Sequence, residues 1–171
     1  QGYDSVVFED AYESRGLYYC NGTGGEDRRY IIVNNVKAGD KITFYAITSN
    51  SSEANVYFAH IDDQKSQTGE QTEKAKMVQR ETCYEYIAKT DGSYKIFTDK
   101  EGGKPCYYRV VRTPSVFVSG KIGVPSKLKD SVFGLNFVNQ KTGAITEAKV
   151  AGTSFGAYLA PGYTYTAVLT G

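Results

Sequence analysis

Residues 41–48 read KITFYAIT, in which Ile42, Phe44 and Ala46 alternate with Thr43, Tyr45 and Ile47. An extended chain sends successive side chains to opposite faces. The first three therefore share one face, assigned to a core, and the other three share the second face. The preceding VKAGDK supplies a Gly for positive φ and an Asp for a local backbone hydrogen bond, and TDGSYKIF at 90–97 repeats the device.

The same rhythm extends outward in both directions. Runs of β-branched and aromatic residues bounded by Gly, Asn, Asp and Pro predict further strands at 4–8, 16–20, 29–34, 54–61, 82–88, 93–98 and 105–111. That many short strands in about 110 residues predict a sandwich. Residues 62–81 are polar, lack aromatics and predict a long loop with one helical turn at its end. Composition changes at Thr113–Pro114, after which strands are predicted at 115–121, 131–138, 144–150, 153–159 and 163–169. The expected fold class is all-β, with a β-sandwich at 1–112 followed by a smaller β-sandwich-like unit at 113–171. A unit this small is near the lower limit for folding alone, so it either packs on the first unit or is cut short at Gly171.

Fifteen tyrosines, no tryptophan and one histidine in 171 residues point to a binding module, because a phenol ring offers an apolar plane and a hydroxyl together. The net charge of +1 argues against a dedicated nucleic-acid or membrane-surface partner, which needs a large basic excess. The charge is unevenly spread: residues 1–73 carry 6 Lys/Arg against 12 Asp/Glu, and residues 74–112 carry 9 against 5. No apolar run approaches the ~18 residues that cross a bilayer, and the start at Gln1 suggests a piece of something longer. Cys20, Cys83 and Cys106 allow at most one disulfide and fit no zinc spacing; they permit secretion without requiring it.

Catalytic signals are weak. His60 lies in an alternating segment beside Ile61 and Asp62 and reads more readily as a strand end than as a general base. Paired carboxylates such as Asp62–Asp63 and Glu26–Asp27 read as loop acids, and GTGGED at 22–27 lacks the Lys-Ser/Thr of a phosphate cradle. No enzyme activity and no cofactor are expected. A structural calcium held by loop oxygens is left open, although no D-x-D-x-D-G spacing occurs.

The richest stretch runs from Lys74 to Arg112, where cations interleave with tyrosines. Guanidinium and ammonium groups pair with carboxylates, while phenol faces stack on pyranose C–H faces, so an acidic polysaccharide such as polygalacturonate answers both. The candidate ligand-binding set is Arg28, Arg29, Lys74, Lys76, Arg80, Tyr84, Tyr86, Lys100, Lys104, Tyr107, Tyr108 and Arg109. The competing reading has alternate tyrosines filling the core and the cations solvating the outer face. Tyr84 and Tyr86 share a face, as do Tyr107 and Arg109, whereas Tyr108 points the other way.

The order GLYYCNGTGGEDRRYIIVNNVKAGDKITFYAITSN, then YEYIAKTDGSYKIFT, then PCYYRVVR resembles the non-catalytic β-sandwich domains appended to bacterial pectate lyases and related plant-cell-wall enzymes. The resemblance implies pectin binding, with lysines and arginines contacting galacturonate; Arg28, Arg29 and the Tyr107–Arg109 strand correspond to its pattern. VSGKI, FVNQKTGAITEAKV and YLAPGYTYTAVLTG separately resemble bacterial prealbumin-like domains. Some of those carry a Lys–Asn isopeptide bond. Lys121 stands on the first strand of that unit, but YTYTAVL offers no Asn or Asp acceptor, so no crosslink is expected.

The leading expectation is a non-catalytic carbohydrate-binding region of a secreted or cell-surface bacterial enzyme, a monomer within a larger multidomain protein, with acidic pectin as ligand. The alternative is a structural or adhesive tandem of surface-protein β domains. Burial of Tyr84, Tyr86, Tyr107 and Tyr108 would favour that alternative.

Overall fold

The computed structural model describes residues 6–14, 16, 18–19, 22–48, 54–61, 67–71, 75–77, 83–100, 103–128 and 131–171, with backbone alone at 18–19, 67–71 and 75–77. In chain order the described strands are β1 (Tyr18–Tyr19), β2 (Ile31–Val36), β3 (Lys41–Thr48), β4 (Ala54–Ile61), β5 (Gln67–Gln71), β6 (Ala75–Met77), β7 (Cys83–Ile87), β8 (Gly92–Thr98) and β9 (Pro105–Thr113). They continue with β10 (Val116–Lys121), β11 (Gly134–Asn139), β12 (Ile145–Glu147), β13 (Lys149–Ala151), β14 (Ser154–Leu159) and β15 (Tyr165–Thr170). A single 3₁₀ turn, Ser126–Leu128, is the only helical element among the described residues. The fold is all-β.

One sheet has the order β1-β9-β3-β7 and a second β2-β8-β4-β5, with β6 also paired to β4. Between them lies a core of Ile42, Phe44 and Ala46 from β3, Val56 and Phe58 from β4, Tyr94 and Ile96 from β8, Tyr84 from β7 and Tyr107 from β9. This is the face of KITFYAIT that alternation assigned inward. Each large apolar side chain so enclosed contributes roughly 1.5–3 kcal/mol relative to exposure.

The opposite face of β3 is buried as well: Thr43, Tyr45 and Ile47 are all enclosed. Residues 6–14 fold across it, closed by a Val7↔Glu13 bridge and by hydrogen bonds from the amide of Phe8 to the Tyr12 carbonyl and from that of Ser14 to the Val6 carbonyl. Val6 and Phe8 pack there with Tyr45, Ile47 and Cys106, and Tyr12, Cys83 and Tyr108 flank them. The predicted strand at 4–8 is, over its described residues, this covering turn rather than a member of a sheet.

The predicted loop at 62–81 also needs correction. Within it β5 and β6 pair antiparallel with β4, in the registers Ala59↔Gln71, Ile61↔Gln67, Ala54↔Met77 and Val56↔Ala75. Strand pairing is made by backbone groups, so a polar chain can cover the edge of β4 without showing apolar alternation. The helical turn expected near its end falls partly on β6 and otherwise outside the described residues.

The later strands form two three-stranded sheets, β10-β14-β13 and β12-β11-β15. Their shared core comprises Ile122, Leu135, Phe137, Ala148, Ala157 and Leu159. The predicted strand at 144–150 divides at Ala148, so that β12 belongs to one sheet and β13 to the other, and the Ala148 amide bonds the Leu135 carbonyl at the crossing. Only Pro114 and Ser115 separate β9 from β10.

Candidate functional site

The tyrosines proposed to stack on a ligand are held by packing. Tyr84 and Tyr107 are only 5% and 3% exposed, and the Tyr107 hydroxyl donates to the Arg29 carbonyl at 2.8 Å. Half-buried Tyr86 stacks on Phe58 at 5.4 Å and contacts Tyr94. Tyr108 lies on the other side of the sheet, edge-on to Phe8 at 5.4 Å. Tyr107 and Tyr108 do lie on opposite faces, but a bulge where Tyr45 pairs with Arg109 and Ala46 with Tyr107 turns Arg109 to the Tyr108 side, which corrects the expectation that Tyr107 and Arg109 share a face. Both faces are covered, which corrects the assignment of Tyr84 and Tyr107 to a ligand surface.

Nor do the described cations line one groove. Arg28 and Lys100 both approach Asp27, at 4.0 and 3.3 Å, at the exposed turn before β2. The Arg29 guanidinium donates to the Thr23 carbonyl at 3.0 Å, steadying the same turn. Lys95, mostly buried, donates to the Glu26 carbonyl and lies 4.8 Å from the Tyr30 ring centroid. Arg109, exposed on β9, sits 4.8 Å above the Tyr12 ring, on the covered side of the sheet. Lys104 is exposed just before β9. Lys76 stands opposite Asn55 in the β4–β6 ladder, and Lys74 and Arg80 lie outside the described residues. Among the described cations of the predicted set, Arg28, Arg29 and Lys100 gather around one acidic turn, to which the Tyr107 hydroxyl also reaches through the Arg29 carbonyl.

A denser polar cluster joins the two halves of the chain. Glu85 on β7, its side chain 20% exposed, accepts hydrogen bonds from Lys41 at 3.2 Å, Lys141 at 3.0 Å and the Tyr163 hydroxyl at 2.7 Å. The two ammonium groups also lie 5.1 and 5.9 Å from the Tyr163 ring centroid. Burial opposes ionisation of Glu85, but the donors from Tyr163, Lys141 and Lys41 outweigh it and hold the carboxyl below its ordinary range. Burial, reinforced by Glu85, pushes the Tyr163 phenol up, and the hydrogen bond to Glu85 raises the Lys141 ammonium.

A second contact lies nearby along the chain. Buried Asp40 accepts the Ser115 amide at 2.8 Å and the Lys37 amide at 3.0 Å, and pairs with Arg112 at 3.6 Å. Gly39, at φ +86°, lets the backbone approach β14: a Cβ there would sit 2.9 Å from the Tyr158 carbonyl oxygen. Turn and aspartate thus fix the start of β10 against the first unit.

His60 borders a shallow depression of about 500 Å³ lined by Asn35, Lys37, Asp91 and Ser93. Its Nε2 is 3.1 Å from the Asp91 carbonyl oxygen, and its ring is edge-on to Tyr94. Lys37 pairs with Asp91 at 2.8 Å, and the Ser93 hydroxyl donates to Asn34. The serine proton is thus directed to an amide oxygen rather than to the imidazole.

Rings at the surface occur elsewhere. Phe117 and Tyr158 are 56% and 58% exposed, are partners across β10 and β14, and have ring centroids 5.1 Å apart. Sequence reasoning passed over them because alternation groups Phe117, Ser119 and Lys121 on one face without saying which face is wet. No group of three or more metal-ligating side chains occurs among the described residues. The chain matches no family model, and no curated protein or solved structure matches it.

Proposed function

We propose that the chain is a non-catalytic, structural pair of β domains: a stiff two-unit segment within a larger secreted or cell-surface bacterial protein. The observation that carries this reading is the Glu85 cluster, in which one carboxylate gathers donors from β3 and from two turns of the second unit. Asp40 and the close approach at Gly39 act in the same sense, and two residues are too short a connection to let the units swing freely. The tyrosines support it too. Those in the first core and under the 6–14 turn serve as large apolar fillers, and the hydroxyls of Tyr45, Tyr94 and Tyr107 donate to Asp10, the Thr90 carbonyl and the Arg29 carbonyl.

Residual dipolar couplings of the whole chain test the proposal. One alignment tensor fitting amides of both sandwiches is the expected result; two tensors of different orientation or magnitude would overturn it. Stacking of a polysaccharide on Tyr84 and Tyr107 has no support from their placement, because it requires rings open to solvent.

A further inference from the structure

The outward face of the β10-β14-β13 sheet is unusual in composition. Register places Phe117 beside Tyr158, Ser119 beside Gly156 and Lys121 beside Ser154; on the next strand Lys149 stands opposite Gly156 and Ala151 opposite Ser154. The intervening residues Val118, Ala157, Leu159, Phe155 and Val150 point into the core, so the first set points to solvent. Two rings, two ammonium groups and four small residues make up this face. It holds no carboxylate.

The rings lie over a flat floor. A Cβ on Gly156 would come 2.7 Å from Cζ of Phe117, so the phenyl group rests on the glycine backbone, which no other residue would allow without displacing it. Tyr158 is tilted 51° to it, which makes a shallow angle of two aromatic planes rather than a flat patch. Neither Lys121 nor Lys149 takes part in an ion pair among the described residues. Adjacent strands are ~4.8 Å apart, so the row Ser119, Gly156, Lys149 spans ~10 Å and sets a cation beside the rings on one surface.

We propose that this face is a binding site for an acidic polysaccharide, with Phe117 and Tyr158 as stacking platforms and Lys149 and Lys121 as carboxylate contacts. Charge selects the occupant. An apolar protein surface would leave two ammonium groups facing it, and a neutral glycan would leave them without counterparts, whereas a uronate chain supplies a carboxylate on each sugar and apolar C–H faces between. The surface lies wholly in the second unit and does not depend on the stiffness of the joint.

Affinity electrophoresis of the whole chain through gels holding polygalacturonate, xylan, galactan or cellulose derivatives tests it, with Phe117→Ala, Tyr158→Ala and Lys149→Glu alongside. Retardation by polygalacturonate is expected, weakened by salt because exposed charge pairs are screened. Each ring variant should weaken it by roughly tenfold, as loss of a central anchor does. The side chains are exposed, so the variants should keep the circular dichroism and the dipolar couplings of the parent, separating this test from that of the joint. No retardation in any gel, retardation by neutral glycans alone, or polygalacturonate binding unchanged in all three variants would overturn the proposal. So would self-association that Phe117→Ala abolishes, because the face would then be a contact between copies.

Discussion

Replacing Glu85 by Gln removes the charge that holds the joint while keeping the side-chain volume. Hydrogen bonds to a charged group are worth about 1.5–3 kcal/mol when a buried partner is left without them, whereas an exposed ion pair is worth about 0–1 kcal/mol. Lys141, 70% exposed, belongs to the second class, and Lys41, 18% exposed, with the half-buried Tyr163 hydroxyl, belongs to the first. A loss of about 2 kcal/mol is therefore expected for Glu85→Gln, and about 1.5 kcal/mol for Tyr163→Phe. In a chain of this length that corresponds to a fall in melting temperature of about 4–8 °C for the first variant. The double variant should lose less than the sum, by about 1 kcal/mol, because the two groups share one hydrogen bond.

The pH dependence has a definite sign. The Glu85 carboxyl is held below its ordinary 4.5, so its contribution is present above that value and is lost as pH falls through the lower folded value. Tyr163 and Lys141 are raised above 10.0 and 10.5, so theirs is present below those values and is lost as pH rises through the folded ones. Urea titrations across pH, followed by tyrosine fluorescence, should give a plateau between the two limbs that Glu85→Gln lowers and flattens. Additive losses in the double variant, or a change below about 0.5 kcal/mol in Glu85→Gln, would refute the reasoning by showing that the cluster only decorates the surface.

Phe8→Ala empties the centre of the small core under the 6–14 turn, where the ring contacts Tyr12, Tyr45 and Tyr108, and should cost about 3–4 kcal/mol in chemical denaturation. Gly92→Ala should be destabilising by more than 1 kcal/mol, since the residue has φ +147° and a Cβ would meet His60 Nε2 at 2.3 Å; the imidazole resonances should shift with it. Burial first, then the hydrogen bond to Glu9, pushes the Cys83 thiol up to about 11, so its alkylation by iodoacetamide should be slow at neutral pH and rise only in strongly alkaline buffer.

The alternation in KITFYAIT, and its echoes in YEYIA, SYKIF and YYRVV, determined by themselves that the chain is all-β and which side chains share a face, except where the bulge in β9 turns Arg109 away from Tyr107. Period-two spacing is a local property of the extended backbone and needs no knowledge of neighbours. Burial is not local. Tyr107 and Tyr108 could be sorted to opposite faces from sequence, but that the 6–14 turn covers one face, and the β2-β8-β4-β5 sheet the other, was decided only when distant segments came together. The polar β5 and β6 were invisible for a related reason, since their pairing with β4 uses backbone groups that every residue carries. Glu85 looked like any charge between two tyrosines until turns some fifty and eighty residues later supplied Lys141 and Tyr163. Phe117 and Tyr158 became a surface only because the sheet that buries Val118 and Ala157 turns their neighbours outward, where they stay more than half exposed. Sequence assigns each side chain to a face, but tertiary structure decides which faces meet water, because that depends on what the rest of the chain places over them.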